Sequence, residues 1–82
     1  MRIKPLRSNL RKYLTRHGLV KKFNKQVRFL LSDVSHPSLH AEILEPKNFK
    51  IYSFRIDRKY RAIFSVETGD LIEIVDINDH YQ

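Results

Sequence analysis

The sequence predicts an α+β fold: a short N-terminal edge strand, a helical hairpin, then a three-stranded antiparallel meander, with the helices on one face of the sheet. Three observations predict it. Apolar residues repeat at offsets of three and four between Leu10 and Val34. From Ile51 onward they alternate at a period of two. The connections between the alternating runs have hairpin length and turn-forming residues. A sheet covered on one face by two helices buries both apolar sets together.

Each element follows from local chemistry. Arg2 to Leu6 reads as a short extended piece, and Pro5, which has no N–H to donate, confines it to an edge. Ser8 is the expected N-cap of a first helix carrying Leu10, Tyr13 and Leu14. Gly18 stands where a helix ends in a left-handed residue. Val20, Phe23, Val27, Leu30, Leu31 and Val34 then form one stripe of a second helix, with Lys21, Lys25 and Arg28 repeating on another face. His36-Pro37 ends helical structure, because the residue before proline is pushed out of the α region. In the meander, Tyr52, Phe54 and Ile56 alternate with Ser53 and Arg55. Tyr60, Ala62, Phe64 and Val66 alternate with Arg61, Ile63 and Ser65, and Leu71 to Ile77 is nearly all apolar. Asp57-Arg58-Lys59 and Glu67-Thr68-Gly69-Asp70 connect the three strands. No repeat, linker or low-complexity tract interrupts the chain, so residues 1–82 are expected to form a single domain.

Charge distribution narrows the function. Residues 1–28 carry ten basic side chains and no acid, so the net charge of +7 splits as +10 before residue 29 and −3 after it. Such a block suits a nucleic acid, an acidic protein partner, or plain solvation. Membrane binding is not expected, because the large apolar residues are claimed by the core. The chain has no cysteine, which excludes thiolate metal sites and thiol nucleophiles. It also has no apolar run of signal-peptide or membrane-spanning length, so the expected location is cytoplasmic.

The sheet face away from the helices is where chemistry is expected. Arg61 points opposite to Tyr60, Ala62 and Phe64 and is expected to reach solvent, with Arg55 in the same relation to its neighbours. RNA cleavage without a metal needs a base for the 2′-hydroxyl proton, a cation for the phosphorane-like transition state and an acid for the leaving 5′-oxygen. Glu42, Arg61 and His80 are residue types for those roles in that order, and Tyr81 can stack on a base. Each has a bland alternative. Arg61 can pair with Asp76 or Glu73 across the sheet, Glu42 can be a surface acid, and His80-Tyr81 can be a chain end. His36 and His40, four apart, make a weak metal pair. No metal or other cofactor is expected.

These residues carry a resemblance. The stretch IYSFRIDRKYRAIF over residues 51–64 and the closing IEIVDINDHYQ are similar to the RelE/ParE toxin superfamily of type II toxin–antitoxin systems, closest to its RelE/YoeB-like mRNA interferase branch. The resemblance implies that Arg61, in Tyr60-Arg61, contacts the scissile phosphate and that His80 and Tyr81 are catalytic. Stepping back without gaps sets Glu42 at the general base, with Glu45 as a competitor. Lys47 and Lys50 fall where some members bind substrate, and Arg55, Lys21, Lys25 and Arg28 complete the expected RNA-binding set. The implied partners are mRNA on the ribosome and a cognate antitoxin. The implied activity is metal-independent endoribonuclease action. Its rivals are a ParE-like toxin that inhibits DNA gyrase without catalysis, and an inactive nucleic-acid-binding relative. The basic run in the helices is heavier than the family pattern, and Asp76 and Asp79 lie close to His80.

Overall fold

The computed structural model of the chain describes residues 1–79. Its order is β1 (Arg2–Ile3), α1 (Ser8–Arg16), α2 (Val20–Ser32), β2 (Glu42–Ile43), β3 (Ile51–Arg55), β4 (Arg61–Glu67) and β5 (Leu71–Asn78). The strands form one sheet in the order β1-β5-β4-β3-β2. β1 runs parallel to β5, and the other pairs are antiparallel. The fold is α+β, with the meander as expected and one strand more than the sequence suggests. β2, two exposed residues long, pairs with the outer edge of β3.

The helical hairpin turns where the glycine predicts. Gly18 has φ +66°, its N–H donates to Thr15 O, and the Leu19 N–H reaches back to Leu14 O at 2.8 Å. These are the two bonds of a Schellman cap, and Leu14 and Leu19 are both buried beside it. Two helix expectations shift. Ser8 is the first helical residue rather than the cap; Arg7 takes the cap position, with no side-chain bond to the helix. The stripe of α2 is rotated toward Phe23, Gln26 and Leu30, continuing from the buried cap residue Leu19, with Val27 and Leu31 half-buried beside it; Val20 is exposed, and Val34, also exposed, lies beyond the end of the helix. Gln26 can occupy the buried side because its amide is hydrogen-bonded at both ends. Its Nε2 donates to Ser38 O at 3.0 Å and to Arg55 O at 2.7 Å, and its Oε1 accepts from Ser38 Oγ. α2 ends at Ser32, before His36-Pro37, which instead opens a 3-10 turn over Pro37–Leu39.

The core lies between the helices and one sheet face. Phe54 meets Phe23 of α2 and Phe64 of β4 at ring separations of 6.1 and 5.8 Å, and Ala62, Ile72, Ile74 and Ile77 fill the same layer. Strict alternation cannot put Ile72, Ile74 and Ile77 on one side. A bulge permits it: Phe64 faces Ile74 while Ile63 faces Asp76, so Val75 is the extra residue. No helix among the described residues is long and apolar enough to cross a membrane.

Acid-sensitive contacts tie the periphery together. Lys4 reaches Glu67 at 2.8 Å, and Arg7 reaches Glu73 at 2.8 Å. The Arg7 hydrogen bond holds the Glu73 carboxyl below its ordinary value, although partial burial opposes this. Burial would raise Asp57, but the N–H groups of Tyr60 and Lys59 and the Lys22 ammonium hold it below the carboxylate range. A carboxyl depressed in the fold contributes stability that is complete above its unfolded pKa and is lost as pH falls through the folded one. Stability should therefore be level at neutral pH and decline once pH drops below the ordinary values of 4.5 and 3.8. Denaturation midpoints across that range check this, and a midpoint unchanged down to pH 3 would contradict it.

Candidate active site

The face of the sheet turned away from the helices carries Glu42 of β2, Ser53 and Arg55 of β3, Arg61 of β4 and Asn78 of β5. Glu42 pairs with Ser53, Arg55 with Arg61, and Arg61 with Asn78. Two rows of polar side chains result, Glu42 and Ser53 across β2 and β3, and Arg55, Arg61 and Asn78 across β3, β4 and β5. Ser53 and Arg61 are buried, with Arg61 only 6% exposed. This corrects the expectation that Arg61 reaches freely into solvent. The segment His40 to Ile43, expected to be mere connection, folds along the edge of β3 and adds a wall on that face.

The wall is fixed from below. Leu39 is fully buried, Gln26 of α2 holds Ser38, and His40 adopts a left-handed conformation with φ 44°. The His40 carbonyl then points at the sheet and accepts a 2.6 Å hydrogen bond from Arg61 Nη2. Ser53 Oγ accepts from Arg61 Nη2 at 2.9 Å and from Nε at 3.1 Å. A guanidinium has five donors in a rigid fork, so three bonds to fixed acceptors orient its plane. Burial pushes the Arg61 guanidinium below its usual value; the Glu42 carboxylate offsets this, and Arg55 adds to it. It remains charged at neutral pH.

Arg61 borders a cavity of about 200 Å³. His40 and Glu42 form one wall, Arg55 and Arg61 the floor, and the Asp57-Arg58-Lys59 turn the rim. The Asp57 carboxylate shapes that turn by accepting from the N–H of Lys59 and of Tyr60 at 2.9 and 2.8 Å, and it also meets Lys22 at 3.2 Å. Among the described residues, four cationic side chains thus face two carboxylates, one of them engaged elsewhere. Such a cavity fits an anion with two or more oxygens.

The expected residues divide accordingly. Glu42, Arg55 and Arg61 come together, whereas Glu45 does not line the cavity. Lys50 lies in a separate groove with Tyr52 and Glu67, and Lys47 stands exposed in a 3-10 turn. Lys21, Lys25 and Arg28 are exposed on α2, which packs against the opposite face through the Phe23–Phe54 contact. His80 and Tyr81 lie outside the described residues. The suggested cross-strand pairing of Arg61 with Glu73 or Asp76 is not what the register provides, since Glu73 serves Lys4 and Arg7 and Asp76 accepts from Asn78. The His36 ring stacks on Phe29 at 3.8 Å, its Nδ1 accepting the Ser38 N–H. No group of three or more metal-ligating side chains occurs among the described residues. Arg58 and Lys59 were not singled out as site residues from sequence, and His40 was weighed only with His36 as a weak metal pair; the closeness of Arg58 and Lys59 to Arg61 across a hairpin turn was the available signal.

No protein-family model matches the chain. It is 46% identical over 37 residues to an uncharacterized protein of Haemophilus influenzae, a match taking in 45% of this chain and 37% of that protein's length. Among solved structures, a YoeB/ParE toxin from Agrobacterium tumefaciens superposes with a TM-score of 0.74 at 20% identity, covering 99% of this chain and 100% of that one. YoeB from Staphylococcus aureus, solved as a dimer, gives 0.72 at 23% identity over 98% of this chain and 94% of its own. The heterotetrameric YoeB-YefM toxin–antitoxin complex from the same organism gives 0.70 with the same identity and coverage. The chain has the fold of the YoeB/ParE toxins.

Proposed function

We propose that this chain is the toxin of a toxin–antitoxin pair and acts as a metal-independent endoribonuclease on mRNA, in the cytoplasm and on the ribosome. The observation that carries this reading is the Arg61 guanidinium, clamped by Ser53 and His40 beside the Glu42 carboxylate in a cationic cavity. In the reaction, Glu42 takes the proton from the 2′-hydroxyl, whose oxygen attacks the adjacent phosphorus. Negative charge grows on the non-bridging oxygens, and a preorganised guanidinium stabilises it without reorganising. The bond to the 5′-oxygen breaks, and that oxygen takes up a proton. The products are a 2′,3′-cyclic phosphate and a 5′-hydroxyl. His80 is the proposed proton donor, and Tyr81 the proposed stacking partner of a base. The likeness to YoeB in complex with YefM supports a separate antitoxin as partner. The basic surface of α1 and α2 supports contact with ribosomal RNA.

Mapping of RNA ends tests the reading. After brief induction, new 5′-hydroxyl ends should appear inside translated reading frames, and they should be absent with Glu42→Gln. Growth arrest with intact mRNA would discard the nuclease and favour a gyrase-type binder. Neither arrest nor cuts would indicate an inactive relative.

A further inference from the structure

A polar side chain is costly in a core unless its hydrogen bonds are met, and Gln26 is such a side chain, 3% exposed in the middle of α2. A leucine or methionine there would pack the helix on the sheet with no polar group to satisfy. What the amide meets is therefore informative. β2 pairs only with Tyr52 and Ser53, so among the described residues the outer edge of β3 has no strand partner beyond Ser53. Gln26 fills that gap. Its Nε2 donates to the Arg55 carbonyl at 2.7 Å and to the Ser38 carbonyl at 3.0 Å. Its Oε1 accepts from Ser38 Oγ at 3.3 Å. One buried amide thus fastens the end of β3, which is the cavity floor, to the segment that becomes the cavity wall. Both attachments flank Arg61. Arg55 is its partner in the register of β3 and β4, and Ser38 leads through Leu39 to the His40 carbonyl that clamps it at 2.6 Å.

We propose that Gln26 is a positioning residue for the Arg61 site, acting through the 38–40 segment and the end of β3. Gln26 does not line the cavity. It sets the separation of wall and floor, and so the direction in which the guanidinium is held. The consequence for catalysis rests on the ribonuclease reading, whereas the consequence for Arg61 itself does not.

Two readouts on the full chain test this. By NMR, the Arg61 Nε–H should exchange slowly with water in the wild type, as its bond to Ser53 Oγ implies, and about tenfold faster in Gln26→Met. In cleavage of ribosome-bound mRNA, Gln26→Met should lower kcat about 10²-fold, the loss typical of a small misplacement, and leave KM within about twofold. Val27→Ala trims a half-buried contact of the same helix and loosens α2 without touching wall or floor. It should move neither readout by more than about twofold. Should Gln26→Met fail to fold, Gln26→Glu keeps the shape and an acceptor for Ser38 Oγ, loses the Nε2 donor, and should show the same two losses. An Arg61 Nε–H that exchanges as in the wild type, or a kcat loss that Val27→Ala reproduces, would overturn the proposal. A wild-type chain that cuts no RNA removes the nuclease reading alone, because exchange at Arg61 still decides whether Gln26 positions it.

Discussion

Arg61→Lys is expected to lower RNA cleavage about 10²- to 10³-fold, the loss typical of removing one preorganised donor from a developing oxyanion. The charge survives this substitution, but the geometry does not. An ammonium is a point donor on a flexible stem and cannot span Ser53 Oγ and the His40 carbonyl while also facing a phosphate. The same substitution leaves buried acceptors underserved, so stability should fall by about 2 kcal/mol. Glu42→Gln separates the two effects. Glu42 is exposed, and its amide replacement should change stability by less than about 0.5 kcal/mol while still removing the base. Parallel cleavage assays and denaturant midpoints on both variants give the comparison. Unchanged cleavage by a destabilised Arg61→Lys protein would reduce Arg61 to a structural brace for the 40–43 wall.

Phe54→Ala should have the largest effect on the fold. Phe54 is fully buried, tilted against Phe23 of α2 and Phe64 of β4, and it sits on the strand that also carries Ser53 and Arg55. Truncating a buried phenylalanine costs about 3–5 kcal/mol, through lost transfer energy and the cavity left behind. A domain of this size has roughly 5–15 kcal/mol in total, so much of that reserve would go. The expected result is a large drop in denaturant midpoint by circular dichroism, with the slope retained. A loss under about 1 kcal/mol would mean that Phe54 is not the centre of the helix–sheet contact.

The meander was legible because period-two alternation from Tyr52 to Val66 and two polar turns leave little else for the chain to do. Gly18 was legible because a left-handed residue between two apolar-periodic stretches favours glycine. β2 was not, since Glu42 and Ile43 are both exposed and two residues show no period. The rotation of α2 was hidden by Gln26, whose burial depends on three hydrogen bonds to distant partners that hydropathy does not register. The bulge at Val75 was hidden by the uniformly apolar run around it. Arg61 misled for a related reason. Its strand parity was read correctly, but exposure was inferred from residue type, whereas burial comes from a carbonyl twenty-one residues earlier. Of the candidate site, Glu42, Arg55 and Arg61 could be found from sequence, while the His40 wall and the Arg58 rim required the tertiary fold.

The strand order has a consequence for when the chain becomes competent. β5, the last of the described strands, lies inside the sheet between β1 and β4, so β1 waits for partners that lie about seventy positions downstream, Arg2 for Leu71 and Ile3 for Ile72. Pairings so distant along the chain form late and slowly. Until residue 78 has been made, a nascent chain has β4 with one edge open and the isoleucines of the final strand missing from the core. A growing polypeptide therefore closes this sheet, and completes the layer that carries the Arg61 cavity, only once β5 has been made.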